Sequence, residues 1–498
     1  MNFNFLIDFL TSSLIAASIA WVCILISRAR KSSKLPPGPY GLPVIGNILH
    51  LGPKPHRSLA ELSQKYGPVM SLKLGSITTV VITSAETAKL VLQKHDSSFS
   101  NRTLPSASKA LRHHEFSVAW LPVGSQWRKL RKICREQMFS APRLDASEGL
   151  RREKLQKLQD FVAERSDRGA AVNVGDAAFT TALNLMSASL FSVEFARFDS
   201  ESSQEMKEVV WGVMKAVGSP NLADYFPLLK PADPQGIFKA AEYNYGKLFA
   251  KLDEIIDEKL KSEGEKRDLV EALLEINRRD ETQLSRDDIR HLLLDLFVAG
   301  TDTTSGTVEW AMTELIRNPQ KMAKLRSEIR SFMSKNGKQQ VEESDISSLP
   351  YLQAVVKENF RLHPAAPFLV PHKANCDVEI NDYIVPENAQ ILINVWASGR
   401  DSNIWKNPNE FLPERFLNEN DNIDFKGRDF ELIPFGAGRR ICPGLPLADR
   451  MVHQMLVTFV GNYEWKLENM KPEEIDMNEN FGITLQKAVP LKAIPTKL

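Results

Sequence analysis

Residues 434–444, Pro-Phe-Gly-Ala-Gly-Arg-Arg-Ile-Cys-Pro-Gly, set a single cysteine, Cys442, in a glycine-rich loop that runs into an apolar stretch. A thiolate is a strongly donating metal ligand, and on haem iron it pushes electron density in the direction that favours O–O cleavage. Cys442 is therefore read as an iron ligand whose chemistry is oxygen chemistry. Gly436, Gly438 and Gly444 permit a tight loop whose backbone N–H groups face the sulfur and hold it as thiolate. Pro443 is placed to open the following helix, and Arg440, two residues before the cysteine, suits an acidic haem propionate. The bland alternative is a glycine-rich loop around a free buried cysteine.

Three further constellations carry chemistry. Ala299-Gly300-Thr301-Asp302-Thr303-Thr304 places small and hydroxylated residues, poor helix formers, in the middle of a helical pattern. Small residues let a ligand approach the backbone, and hydroxyls bonding back to the preceding turn are expected to distort the helix and open a groove. A surface aspartate beside hydroxyls at a kink is the competing reading. Trp127 and Arg131 stand four apart on one helical face, two donors that suit carboxylates, or else a core tryptophan on a solvated basic helix. Glu358 and Arg361 form an i,i+3 pair, and Arg415, in Pro413-Glu414-Arg415-Phe416, supplies a second guanidinium that one carboxylate can bridge.

In this order and company the stretch from Phe435 to Gly444 resembles the haem-binding loop of the cytochrome P-450 monooxygenases. The resemblance covers nearly the whole chain. It implies a mainly α fold with small β-sheets (α+β), one large haem domain behind an N-terminal membrane helix. It implies haem b with the Cys442 thiolate as axial ligand, and propionate contacts from Trp127, Arg131 and Arg440. His372 stands where the family often has arginine, so that contact is expected to depend on pH. Asp302 and Thr303 match the acid and alcohol pair that supplies protons for oxygen activation. Glu358, Arg361 and Arg415 match structural positions. Pocket positions fall within residues 117–121, 296–303, 366–370 and 483–485, with Ala299, Phe368, Leu369 and Ile483 as candidates. Residues 429–434 and 481–487 are similar to plant monoterpenol hydroxylases of the geraniol hydroxylase group, which also contains tyrosine hydroxylases of pigment pathways. The implied reaction is hydroxylation of a small apolar metabolite, a monoterpenol such as geraniol or another terpenoid. A tyrosine or phenolic substrate is the near alternative, and a haem-thiolate isomerase, dehydratase or haem sensor the distant one. No G-x-G-x-x-G fingerprint is apparent, so electrons from NADPH are expected through NADPH-cytochrome P-450 reductase, with cytochrome b5 as a second possible donor.

The elements that must position these residues follow from pattern. Residues 285–317 read as one long helix: Ser285 is a good N-cap, Asp287 and Asp288 complement the dipole, and Asn318-Pro319 ends it. Such a helix spans on the order of 45 Å, enough to cross the globule. Residues 69–74 and 78–83, parted by Gly75, read as a hairpin, and residues 146–279 as mainly helical. Residues 3–26 are long and apolar enough for one membrane span, followed by Arg28, Arg30, Lys31 and Lys34, which favours a cytosolic catalytic part. Residues 1–27 are thus expected to be an anchor contacting membrane lipid at the endoplasmic reticulum, 28–45 a basic, proline-rich hinge, and 46–498 the catalytic domain. Lys and Arg total 63 against 62 Asp and Glu, a balance that gives no electrostatic reason to expect nucleic acid. Four cysteines do not make a disulfide framework, and no zinc spacing is present. Arg128, Lys129, Lys132 and Arg135 together offer a basic face for an acidic electron donor.

Overall fold

In a computed structural model of the chain, the described residues are Ser13, Ser18, 34–261, 268–279, 284–417 and 423–498. Apart from those two serines, the expected anchor lies outside the described residues, as do residues 28–33 of the hinge. Among the described residues no helix is long and apolar enough to cross a membrane.

The helical body is built around α6 (Arg286–Arg317), which is buried along most of its length. Its start is the expected one. Ser285 accepts from the Asp288 N–H, and the Asp288 carboxylate reaches back to the cap, so two orphan donors are satisfied reciprocally. Over 32 residues the helix runs about 48 Å. It packs most extensively on α3 (Val174–Phe191), whose sequence is apolar on nearly every side and which is accordingly buried on nearly every side. Gly300 makes that contact possible: a Cβ there would lie 2.8 Å from Met186 Sδ and Cε. The small residue expected to admit a ligand therefore admits a neighbouring helix. α6 continues as unbroken helix through residues 299–304. There the Thr301, Thr303 and Ser305 hydroxyls donate to carbonyls four residues back. Around this pair stand α4 (Glu201–Gly218), α5 (Ile237–Lys261), α7 (Pro350–Leu362) and α8 (Leu445–Val460).

A smaller β region lies beside the helices, with α1 (Pro55–Tyr66) packed against it. Strands β1 (Val69–Leu74) and β2 (Ile77–Ile82) form the expected hairpin, with Leu74 opposite Ile77 and Gly75 at φ +55° in the turn. The second strand begins and ends one residue earlier than the sequence suggested. With β3 (Asn101–Arg102), β4 (His372–Lys373) and β5 (Gln390–Ile393) they make a sheet of order β1-β2-β5-β4-β3, in which only β2 and β5 are parallel. A separate hairpin, β6 (Glu479–Phe481) and β7 (Leu485–Lys487), approaches α6 from the C-terminal end of the chain.

The structural triad is assembled as expected. Fully buried Glu358 receives both arms of Arg361, at 2.7 and 2.8 Å, together with Arg415 Nε at 3.1 Å and the Leu412 N–H at 2.7 Å. Arg361 spends its remaining donors on the carbonyls of Gly399, Pro408 and Glu410. One ion cluster thus ties α7 to the irregular chain preceding the cysteine loop.

Candidate active site

Cys442 sits at the end of a loop whose backbone favours glycine at two points and leaves room for nothing larger at one of them. Gly436 and Gly438 have φ of +71° and +66°, and a Cβ on Gly438 would fall 2.1 Å from the Leu92 carbonyl oxygen. The Cys442 N–H closes the loop on the Phe435 carbonyl at 2.9 Å. Burial pushes the thiol up, while N–H groups of Gly444 and Leu445 and the charge of Arg131 pull it down. The expected backbone donors are therefore present, and the sulfur lies at the N-terminus of α8. Pro443 does not open that helix. It starts at Leu445, with Pro446 in its first turn.

Around the loop the structure gathers more cations than anions: Asp96 pairs with Arg439 at 3.0 Å, and the buried guanidiniums behind it have no such partner among the described residues. Arg440 is buried and donates to the carbonyls of Ser100 and Val118, at 2.8 and 3.3 Å, and of Leu121. Arg131, on α2 (Ser125–Cys134), donates to the Ile441 carbonyl at 2.7 Å. Trp127 lies 4.7 Å below Arg440 and 5.7 Å from Arg131, and its indole N–H is engaged by the Val118 carbonyl at 3.1 Å. His372 is buried with Nδ1 on the Phe99 carbonyl at 2.7 Å. Burial, then Arg102, holds it well below the usual histidine range and hence neutral.

Sequence reasoning missed Arg102, whose residue type and two-residue strand give no signal. It pairs with His372 across β3 and β4, donates to the Val370 carbonyl at 2.5 Å, and leaves its Nε buried without a partner. Burial and the charges of Arg440 and Arg131 depress it well below the usual arginine range. Among the described residues no carboxylate forms an ion pair with Arg102, Arg131 or Arg440. Three converging guanidiniums in a largely dry site call for an anion. The two propionates of haem would supply that charge and Cys442 would supply the thiolate, so these residues fit the group.

On the other side of the loop, Asp295 of α6 fixes the segment that accepts from Trp127 and Arg440. It receives the Ser117 hydroxyl at 2.9 Å and the Val118 N–H at 2.7 Å, and lies 3.1 Å from His113 Nε2. This role too was not apparent in the sequence. Thr303 Oγ1 donates to the Ala299 carbonyl at 2.7 Å, which leaves its lone pairs as acceptors. Asp302 is buried and raised above the usual carboxylate range by desolvation, its oxygens held by Thr484 at 2.7 Å and Gln486 at 2.5 Å. Phe368, Leu369 and Ile483 line one cavity with Trp120, Val217 and Phe481; Ala299, though exposed, is not part of its wall. The charged residues on that wall are Asp224, bound to Ser106, and the exposed Lys230.

A cysteine loop at a helix N-terminus, an arginine shell without carboxylate partners and a cavity walled mainly by apolar side chains are the marks of a haem-thiolate oxidoreductase. The chain matches the family Cytochrome P450 over residues 36–492 and belongs to it. It is 55% identical to Cytochrome P450 76T24 of Catharanthus roseus, covering 98% of this chain and 99% of that one. It is 49% identical to the ferruginol synthase of Isodon rubescens, covering 98% and 99%, and 49% identical to the geraniol 8-hydroxylase of Swertia mussotii, covering 94% and 95%.

Proposed function

We propose that this monooxygenase hydroxylates a C–H bond of a terpenoid, in the size range from a monoterpenol such as geraniol to a diterpene. The observation that carries the reading is the cavity wall of Trp120, Val217, Phe368, Leu369, Phe481 and Ile483, whose charged members are confined to Asp224 and Lys230. Such a wall orients an apolar skeleton by shape and gives a bound amino-acid carboxylate no buried cation. The relatives named for ferruginol and geraniol support the same class.

Haem bound here supplies oxygen activation, one oxygen atom entering the substrate and the other leaving as water. The chain's own residues prepare that chemistry. Gly444, Arg131 and Leu445 favour the Cys442 thiolate against the burial that raises the thiol, and iron would complete that stabilisation, while Arg102, Arg131 and Arg440 would hold the propionates. His372, neutral with its Nδ1–H on Phe99, offers an ionised propionate no further donor until it is protonated. Thr303, whose proton is committed to Ala299, holds a water through its lone pairs. Asp302, raised by burial, is the acid that recharges that water. Electrons would enter from NADPH through a reductase on the face formed by α2 and the residue after it, where Arg128, Lys129, Lys132 and Arg135 are exposed, and cytochrome b5 would use the same face.

Residues 1–27 anchor the chain to the endoplasmic reticulum. Exposed Tyr40, Leu42, Val44 and Leu49, close behind that segment, support contact with lipid. The deciding experiment is a product screen with reductase and NADPH over monoterpenols, larger terpenes and tyrosine. Oxygenation of tyrosine but of no terpene would reject the substrate class.

A further inference from the structure

The C-terminal hairpin carries out a task that no motif announces. The bend at residues 482–484 leads into β7 and turns neighbouring side chains to different sides. Ile483 faces the cavity, whereas Thr484 and Gln486 both turn to Asp302 on α6 and occupy its two oxygens, at 2.7 and 2.5 Å. The hairpin is itself held at several points. Ile483 N–H donates to the Met214 carbonyl at 3.0 Å and Leu485 N–H to the Ala365 carbonyl at 2.8 Å. Gly218 meets the tip so closely that a Cβ there would lie 1.7 Å from Ile483 N. At the far end Glu479 is bound by His56 and Arg57, at 2.7 and 2.5 Å. Asp302 therefore rests on a braced surface, with a cavity-lining residue next in sequence to one of its two donors.

We propose that Thr484 and Gln486 are positioning residues that fix the orientation and proton affinity of Asp302, making the β6–β7 hairpin the partner of α6 in proton handling. The proposal rests on the proton-supplying role assigned above to Asp302. Both side chains donate to the carboxylate and so favour its ionised form against the desolvation that disfavours it. The other charge bearing on Asp302 is Lys207 of α4, which is paired at 2.6 Å with Asp176 of α3. That arrangement puts the two hairpin donors in control of when the buried acid holds its proton.

The test uses the haem-loaded full chain. The protonated-carboxyl C=O stretch of Asp302, identified by its loss in Asp302→Asn, is titrated by difference infrared spectroscopy in wild type, Thr484→Val, Gln486→Leu and Thr484→Ser. Removing either donor should raise the midpoint by about one to two pH units, as expected for a hydrogen bond to a charged group, and serine should restore it. Product per NADPH should fall roughly three- to tenfold in Thr484→Val and recover in Thr484→Ser. Val and Leu keep the side-chain volume, and either variant alone decides the matter if the other fails to load haem. An unchanged midpoint in a haem-loaded variant overturns the clamp. A shifted midpoint with wild-type coupling, while Asp302→Asn uncouples, overturns its part in the reaction. If Asp302→Asn itself stays coupled, the proton-supplying role fails instead, and the titration still decides whether the hairpin governs Asp302.

Discussion

Arg102→Met should release haem faster while leaving the fold intact. In the structure this guanidinium is buried, contacts one backbone carbonyl and leaves Nε without a partner. It has no carboxylate partner among the described residues, so its useful contact is with an anionic ligand. A hydrogen bond to a charged group contributes about 1.5–3 kcal/mol, which corresponds to roughly ten- to a hundredfold in the rate of haem loss. Methionine fills the volume, and removing an uncompensated buried cation costs the surrounding protein little beyond the lost Val370 contact. The assay is transfer of haem to excess apomyoglobin, followed by absorbance, with exposed Arg128→Met as control. A transfer rate within twofold of the control would refute the argument that the arginine shell exists for the propionates.

Cys442→Ala should lose the thiolate-type Soret band of the reduced carbon-monoxide complex; retention of that band would reject the ligand assignment. Thr303→Ala should keep its haem and consume NADPH yet release peroxide in place of product, since a positioned proton donor is typically worth ~10²–10⁴ in rate; the check is simultaneous measurement of NADPH, peroxide and product. Glu358→Ala strands fully buried Arg361 and should cost about 3–5 kcal/mol, a large share of the ~5–15 kcal/mol by which domains are stable; thermal unfolding and haem content within error of wild type would contradict this. Asp302 has a folded pKa raised by burial, so its contribution to stability is fully present below the ordinary carboxylate pKa and is lost as pH rises through the folded value. Asp302→Asn should therefore flatten that decline in a series of melts against pH, and an unaltered slope would count against the burial argument.

The parts of the site legible in the sequence were those whose function is local. Cys442 carries its own loop glycines, Ser285 its own cap, and Glu358 lies one helical turn from Arg361. What sequence did not disclose was set by long-range contacts. Arg102 acquires meaning from strands and loops that reach it from residues 370–372 and 440, and Asp302 from a hairpin near residue 485. Gly300 was read correctly as a residue needed for close approach, but the approaching body is Met186, because a pattern on one helix does not say which neighbour its small face serves. The start of α8 was misjudged for a related reason, since the loop closes on backbone bonds that keep Pro443 outside the helix and leave Pro446 to occupy its first turn.

The proline-rich segment is not left hanging between the N-terminal residues and the globule. The Lys34 carbonyl accepts from Ile384 N–H at 2.7 Å, Pro36 and Pro37 accept from Ser71 at 2.6 and 2.8 Å, and Pro39 accepts from Asn47 at 3.1 Å. Gly38 lies so near the strand that a Cβ would sit 1.9 Å from the Ser71 carbonyl oxygen. Mechanically this makes the segment a strap instead of a swivel. A pull on the amino end reaches Ile384 first, in the two-stranded pairing of residues 378–380 with 383–385, and the margin of β1 next, so these two β regions bear the load before α6 and the cysteine loop feel any strain.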